Sequence, residues 1–184
     1  MSATGGDAPL AVSVRLETPG DELGVRRVHD AAFPGPEEAA IVDRIRRDAP
    51  AGWQSLVAVD ADGLIVGHVL LSPCSVEDED GERVGEVLAL GPIAVVPECQ
   101  RRGVGSALMA SAMSLALARA VPAMVLLGHA SYYPRFGFES ARGVGLMPPA
   151  DAWPDTAWMA RRLPAWTDDM RGTVHYPEAF GPLA

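Results

Sequence analysis

Apolar positions along the 184-residue chain fall into stretches of two periods, near two and near 3.6 residues, separated by Pro- and Gly-containing breaks. Residues 13–17 alternate polar and apolar, which predicts a first strand. Residues 19–33 place Leu23, Val25, Val28, Ala32 and Phe33 at helical spacing behind the start signals Pro19 and Asp21. Pro34-Gly35-Pro36 breaks that helix, and residues 37–48 resume it with Ile41, Val42 and Ile45 on one face. Three extended runs follow at 54–59, 64–76 and 84–96, joined by turns ending in Asp62-Gly63 and Asp80-Gly81, so three antiparallel strands are expected. The third contains Gly91-Pro92. Proline donates no ladder hydrogen bond, so a bulge is expected there, with backbone groups left unpaired in mid-sheet.

The sixteen residues 103–118 are almost wholly small or apolar and read as one buried helix, ended by Pro122. Residues 123–127 form a short apolar run of the buried parallel kind. Strand, helix, strand over 84–127 is therefore a crossover unit. Ser131 is placed to start a one-turn helix through Phe136 that stops at Gly137, and two more strands are expected from 138 onward and within 156–163. Residues 1–12 read as a mobile tail, residues 13–184 as one domain, and residues 164–184 as a C-terminal extension without a period.

Charge changes the picture at residues 97–108. The chain carries a formal net charge of -9, yet Asp and Glu are absent from Arg101 to Phe138. A helix N-terminus exposes unpaired N–H groups and the positive end of the helix dipole, which acidic side chains ordinarily occupy. Here Arg101 and Arg102 flank it, and Gly103 and Gly105 let an anion approach the backbone, so the N–H groups of residues 101–106 are expected to cradle a phosphate. A dinucleotide turn would want a third Gly at position 108, which is Leu, and a ribose-binding acid about 20 residues on, whereas the next acid is Glu139. All 15 basic residues are Arg, so there is no lysine for a nucleotide loop or a Schiff base.

With 48% hydrophobic and 21% charged residues the chain falls among globular proteins, and a pI near 4.8 argues against a nucleic-acid partner. The N-terminus lacks a signal-peptide pattern. The run 103–118 is shorter than the roughly 20 residues needed to span a bilayer and is bracketed by Arg102 and Arg119, so no membrane association is expected. Cys74 and Cys99 make no disulfide framework, which points to a reducing cytoplasm. The four histidines are too scattered to suggest a metal site.

The motif Gln100-Arg101-Arg102-Gly103-Val104-Gly105 matches the Q/R-x-x-G-x-G/A signature of the GNAT superfamily of acetyl-CoA-dependent N-acetyltransferases. Leu90-Gly91-Pro92-Ile93-Ala94-Val95 resembles that family's bulged strand, and Tyr133-Pro134-Arg135-Phe136-Gly137-Phe138 its Y-x-x-x-G-F segment. The tail around Gly172-Thr173-Val174-His175-Tyr176-Pro177 is similar to the end of a bacterial subgroup of N-acetyltransferases. The resemblance departs at His129-Ala130-Ser131, where the subgroup often shows Asp-Pro-Ala, and the family's Asn after the preceding strand is absent.

The resemblance implies an α/β (α+β) fold with a mixed, mostly antiparallel sheet of about seven strands, splayed at the bulge and flanked by helices. It implies acetyl-CoA as cosubstrate and direct transfer to a primary amine of a small molecule or peptide. The backbone of Ile93, Ala94 and Val95 would pair with the pantetheine arm, and Arg101, Arg102, Gly103, Val104, Gly105 and Ser106 would hold the pyrophosphate. Tyr133 falls where the family places a general acid for the departing thiolate, with Tyr132 a weaker candidate. For the base that takes the amine's proton, Glu86, His129 and His68 stay open. The acidic hairpin at Glu77–Glu82 reads first as a solvated turn, with attraction of a cationic acceptor as the alternative, and the aromatic tail is suited to a homodimer contact. A non-catalytic acyl-CoA-binding module and a succinyl-CoA donor are the competing readings.

Overall fold

The computed structural model describes residues 8–181; the first seven residues of the expected tail and the last three of the extension lie outside the described residues. The strands are β1 (Ser13–Leu16), β2 (Gln54–Val59), β3 (Ile65–Glu77), β4 (Arg83–Val95), β5 (Ala123–Leu127), β6 (Glu139–Ser140), β7 (Leu146–Met147), β8 (Trp158–Arg162) and β9 (Gly172–His175). The helices are α1 (Glu22–Ala32), α2 (Glu37–Asp48) and α3 (Val104–Ala118). Strand order is β1-β2-β3-β4-β5-β8-β6, with β9 pairing β3 and β7. Pairing is antiparallel except for β4 with β5 and β7 with β9. The sheet thus has nine strands among the described residues instead of about seven, the additions being the two-residue β7 and the tail strand β9.

Alternation divides the sheet's two faces. On β3, Val69 and Leu71 pack with Leu108, Met109 and Ala112 of α3, whereas Leu70 packs with Val25, Val28, Val42 and Ile45 of α1 and α2. A third cluster, around Trp158, Val87 and Val125, fills the C-terminal half. β4 pairs with β5 only at Leu88 with Met124 and Ala89 with Val125. Beyond Ala89 the two strands part. On its other side β4 keeps pairing with β3, but the register jumps from Leu71 opposite Leu90 to Val69 opposite Ile93. One β3 residue thus faces the two residues Gly91 and Pro92, the expected bulge, with Gly91 at a φ of 141° that suits glycine.

The described residues near both ends close on this framework. In the tail, the Leu10 amide donates to the Arg102 carbonyl and Leu10 and Val12 pack on the α3 cluster. At the other end Phe180 and Ala179 are buried under α2, where Arg44 donates from Nε to the Ala179 carbonyl at 2.8 Å and from a terminal nitrogen to that of Phe180 at 2.7 Å. In the described part of the extension Met170, Val174, Ala179 and Phe180 are buried within the chain. Among the described residues, no helix is long and apolar enough to cross a membrane.

Candidate active site

A cavity of about 640 Å³ opens where β4 leaves β5, a volume suited to a small-molecule ligand. One wall is Ile93, Ala94 and Val95, whose β5-side edge has no strand partner; the floor is Gln100, Arg101, Gly103, Gly105 and Ser106; the far wall is His129, Tyr132 and Arg135. Gln100 donates from its side chain to the Val95 carbonyl at 3.0 Å, tying the strand end to the turn.

The turn before α3 leaves main-chain N–H groups free on the cavity. Arg101 has a φ of 59° and Gly103 a φ of 90°, so left-handed residues interrupt the chain just before α3. Successive N–H groups in such a path converge on one point. A left-handed Arg costs about 1–2 kcal/mol relative to its favoured conformations, and strain of this kind collects at ligand sites. The N-cap of α3 is Gly103, with no side-chain cap and no acid in the first turn. Its leading N–H groups therefore have no side-chain acceptor and face the cavity floor. The acid-free stretch read from the sequence is this wall and floor.

The expected phosphate residues are not equivalent. Arg101 is exposed on the cavity with no side-chain partner among the described residues. Arg102 turns away, its Nε donating to the Ala8 carbonyl at 3.1 Å, and Val104 points into the core, 1% exposed. These two contribute backbone to the turn. At Gly105 a Cβ would lie 2.8 Å from the Tyr132 hydroxyl oxygen, so a side chain there would displace Tyr132.

The two tyrosines sit differently. Tyr132 lines the cavity, its ring against those of Tyr133 and Phe136 at 5.0 and 5.4 Å. Tyr133 is 8% exposed, packed over Gly128 and Leu126 where β5 ends, and burial, reinforced by Tyr132, pushes its phenol up to about 12. Burial also raises Tyr132, against a hydrogen bond from Ser106 and the charge of Arg135.

Of the candidate bases, only His129 is on the cavity, and it also borders a neighbouring hollow of about 340 Å³ beside Leu127, Thr156 and Ala157. Glu86 is half-exposed and ion-paired with Arg83 at 2.8 Å. It precedes Ile93 by seven residues of β4, about 20 Å of strand, which keeps it from the cavity. His68 lies opposite Ala94 in register but is fully buried on the α1 face. There its Nδ1 meets His29 Nε2 at 2.8 Å, its Nε2 meets Ser55 Oγ at 2.7 Å, and Ser55 donates to Glu17, which Arg46 holds at 2.7 Å. Sequence reading missed His29 and Ser55; a polar residue inside the apolar β2 run was the available signal for Ser55, and His29 on α1 had none. The acidic hairpin lines a separate hollow with Asp169 and Arg171.

Comparison with known proteins agrees with this geometry. The sequence model of the acetyltransferase (GNAT) domain matches residues 13–141. The uncharacterized N-acetyltransferases YjhQ and YhbS of Escherichia coli are 30% and 32% identical to the chain, over 89% and 91% of it and 92% and 97% of their own lengths. The crystal structure of Escherichia coli YhbS in complex with CoA superposes with a TM-score of 0.83 at 28% identity, covering 97% of this chain and 96% of that one. A GNAT family acetyltransferase from Brucella melitensis in complex with acetyl-CoA gives 0.73 at 28% identity, covering 92% and 98%. A parted β4–β5 edge, an uncapped basic helix N-terminus and these relatives have one common explanation: the chain is an acetyltransferase and belongs to the GNAT family.

Proposed function

We propose that the protein moves the acetyl group of acetyl-CoA directly to a primary amine, without an acetyl-enzyme. The observation that carries this reading is the unpartnered edge of Ile93–Val95 leading straight to the uncapped N-terminus of α3. An amide-bearing pantetheine arm fits such an edge as an added strand, and its pyrophosphate then falls on the N–H groups of residues 101–106. In this reading one main-chain N–H of Ile93–Val95 stabilises the oxyanion formed when the amine attacks the thioester carbon. The relatives crystallised with CoA and acetyl-CoA support the same donor.

Neither cysteine lines the cavity, and burial raises the Cys74 thiol well above its ordinary range, which favours direct attack by the amine over a thioester intermediate. In this scheme the amine loses its proton to His129, the carbon–nitrogen bond forms, the carbon–sulfur bond breaks, and Tyr133 protonates the departing thiolate from its dry position beside Gly128. The same dry surroundings raise the thiol that it protonates. Tyr132 is the second reading for the acid, favoured by its place on the cavity wall. Thiol release from acetyl-CoA over a panel of spermidine, glucosamine, free amino acids and a peptide N-terminus tests the reaction. Tyr133→Phe is expected to lower kcat at least tenfold with CoA affinity unchanged. A loss confined to Tyr132→Phe would transfer the acid role, and no amine-dependent thiol release would sink the proposal.

A further inference from the structure

The turn before α3 is fastened by a part of the chain that does not line the cavity. Residues 8–12 run from the edge of the sheet, where Ser13 opens β1 opposite Val59, to that turn. There they meet Arg102 at two points. The Leu10 amide donates to the Arg102 carbonyl at 2.9 Å, and Arg102 Nε donates to the Ala8 carbonyl at 3.1 Å. Leu10 and Val12 also pack on the cluster that contains Val104 and Leu108, so the segment is tied to α3 as well as to the turn. None of residues 8–12 is among the residues that line the cavity.

Those contacts fix a peptide unit that its own residues leave loose. Arg102 stands between Arg101 at a φ of 59° and Gly103 at a φ of 90°. Glycine accepts either sign of φ, so the Arg102–Gly103 peptide can turn over at little local cost. The unit is trans, and a planar trans peptide points its N–H away from its carbonyl. With the carbonyl held by Leu10 outside the cavity, the Gly103 N–H is turned toward the cavity that Gly103 lines, and it has no backbone acceptor among the described residues. We propose that residues 8–12 are a positioning brace: Leu10 holds the Arg102 carbonyl, aims the Gly103 N–H at the donor's pyrophosphate and so sets the affinity for coenzyme A. The proposal rests on the donor reading above.

Calorimetric titration with CoA at one fixed ionic strength tests it. Deleting residues 2–11 removes both contacts, and CoA affinity is expected to fall about 3- to 10-fold, the span of one hydrogen bond. Deleting residues 2–7 keeps both contacts and should leave the affinity unchanged. Leu10→Pro removes the N–H donor while keeping an apolar side chain, so it should reproduce the loss, and it serves where the longer deletion does not fold. Coupling between two sites is reciprocal, so saturating CoA should slow hydrogen exchange of the wild-type Leu10 amide by the same factor of about 3 to 10. A tail that only stabilises the fold would lower the unfolding midpoint of the variants and move neither the CoA affinity of the folded protein nor that exchange ratio. Equal CoA affinity in the wild type and Leu10→Pro, an exchange rate that CoA leaves unchanged, or a full loss already on deleting residues 2–7 overturns the brace and leaves the donor reading standing. Failure of the wild type to bind CoA overturns the donor reading, and the brace with it.

Discussion

Acidifying the solution from pH 7 to pH 5 should destabilise the fold by about 2 kcal/mol through His29 alone, because its ring is buried and neutral. The neutrality follows from a chain of hydrogen bonds with one consistent direction. Burial alone would raise the Glu17 carboxyl, but contacts with His68 and Ser55 and the charge of Arg46 outweigh it and hold the group at about 2. Glu17 therefore only accepts, so the Ser55 hydroxyl donates to it and the Ser55 oxygen accepts from His68 Nε2–H. His68 Nδ1 is then bare and accepts from His29 Nε2–H, which leaves His29 Nδ1 bare, buried and without a partner among the described residues.

Desolvation lowers both rings, His29 from 6.5 to about 3, with the neighbouring His68 ring and Arg46 adding to the effect on His29 and Glu17 opposing it. Between those values the unfolded chain binds a proton that the folded chain does not, so stability falls as pH falls. From 6.5 to 5 the difference spans 1.5 pH units at 1.36 kcal/mol each, or about 2 kcal/mol. A contribution of the same sign from His68 enlarges the drop, against a total stability of roughly 5–15 kcal/mol. Glu17 adds nothing in this window, because an ordinary carboxyl near 4.5 is ionised in both states until the pH falls below that value. Urea unfolding followed by tryptophan fluorescence at pH 7 and pH 5 measures the drop, and His29→Gln should reduce it by about 2 kcal/mol. Equal unfolding free energies at the two pH values, or an equal drop in the variant, would refute the buried neutral pair.

Two further outcomes follow from packing. Gly172 has a φ of 153°, and a Cβ there would collide with the Glu77 carbonyl, so Gly172→Ala should detach β9 from β3, cost about 3 kcal/mol or more and expose residues 164–181 to protease. Of the two thiols, Cys99 is half-buried and Cys74 is 1% exposed with its thiol raised by burial, so a disulfide reagent at pH 8 should modify one thiol per native chain and two after unfolding.

Most elements are legible in the sequence because their signals are local. The strands at 54–59 and 123–127 match β2 and β5 end to end, α2 matches 37–48, and α3 begins one residue after its expected start. Gly91-Pro92 marks the bulge because proline cannot complete a ladder, whatever its neighbours. The tail strand β9 had no such marker. Its partner residues Ser75, Val76 and Glu77 lie about a hundred positions earlier, and four residues of Gly-Thr-Val-His carry too little alternation to announce a strand.

The same contrast separates the turn at 97–108, whose marks are contiguous, from the candidate bases, whose surroundings are not. An anion held by main-chain N–H groups needs a contiguous site, and the turn proposed for it carries a contiguous trace: glycines at 103 and 105 and no acid through the helix that follows. A group that takes a proton is a side chain, and its neighbours come from wherever the sheet register brings them. Glu86 satisfied every local requirement for a base and is paired with Arg83 at the remote end of β4. His68 stands in an apolar run, yet its function in the fold depends on Ser55 two strand positions from Val57, on Glu17 beyond the end of β1, and on His29 across the α1 packing face. Even Arg135, three residues beyond Tyr132, meets the turn at 97–108 only across the cavity that both line. Chemistry carried by backbone is spelled along the chain, whereas chemistry carried by side chains is assembled across it.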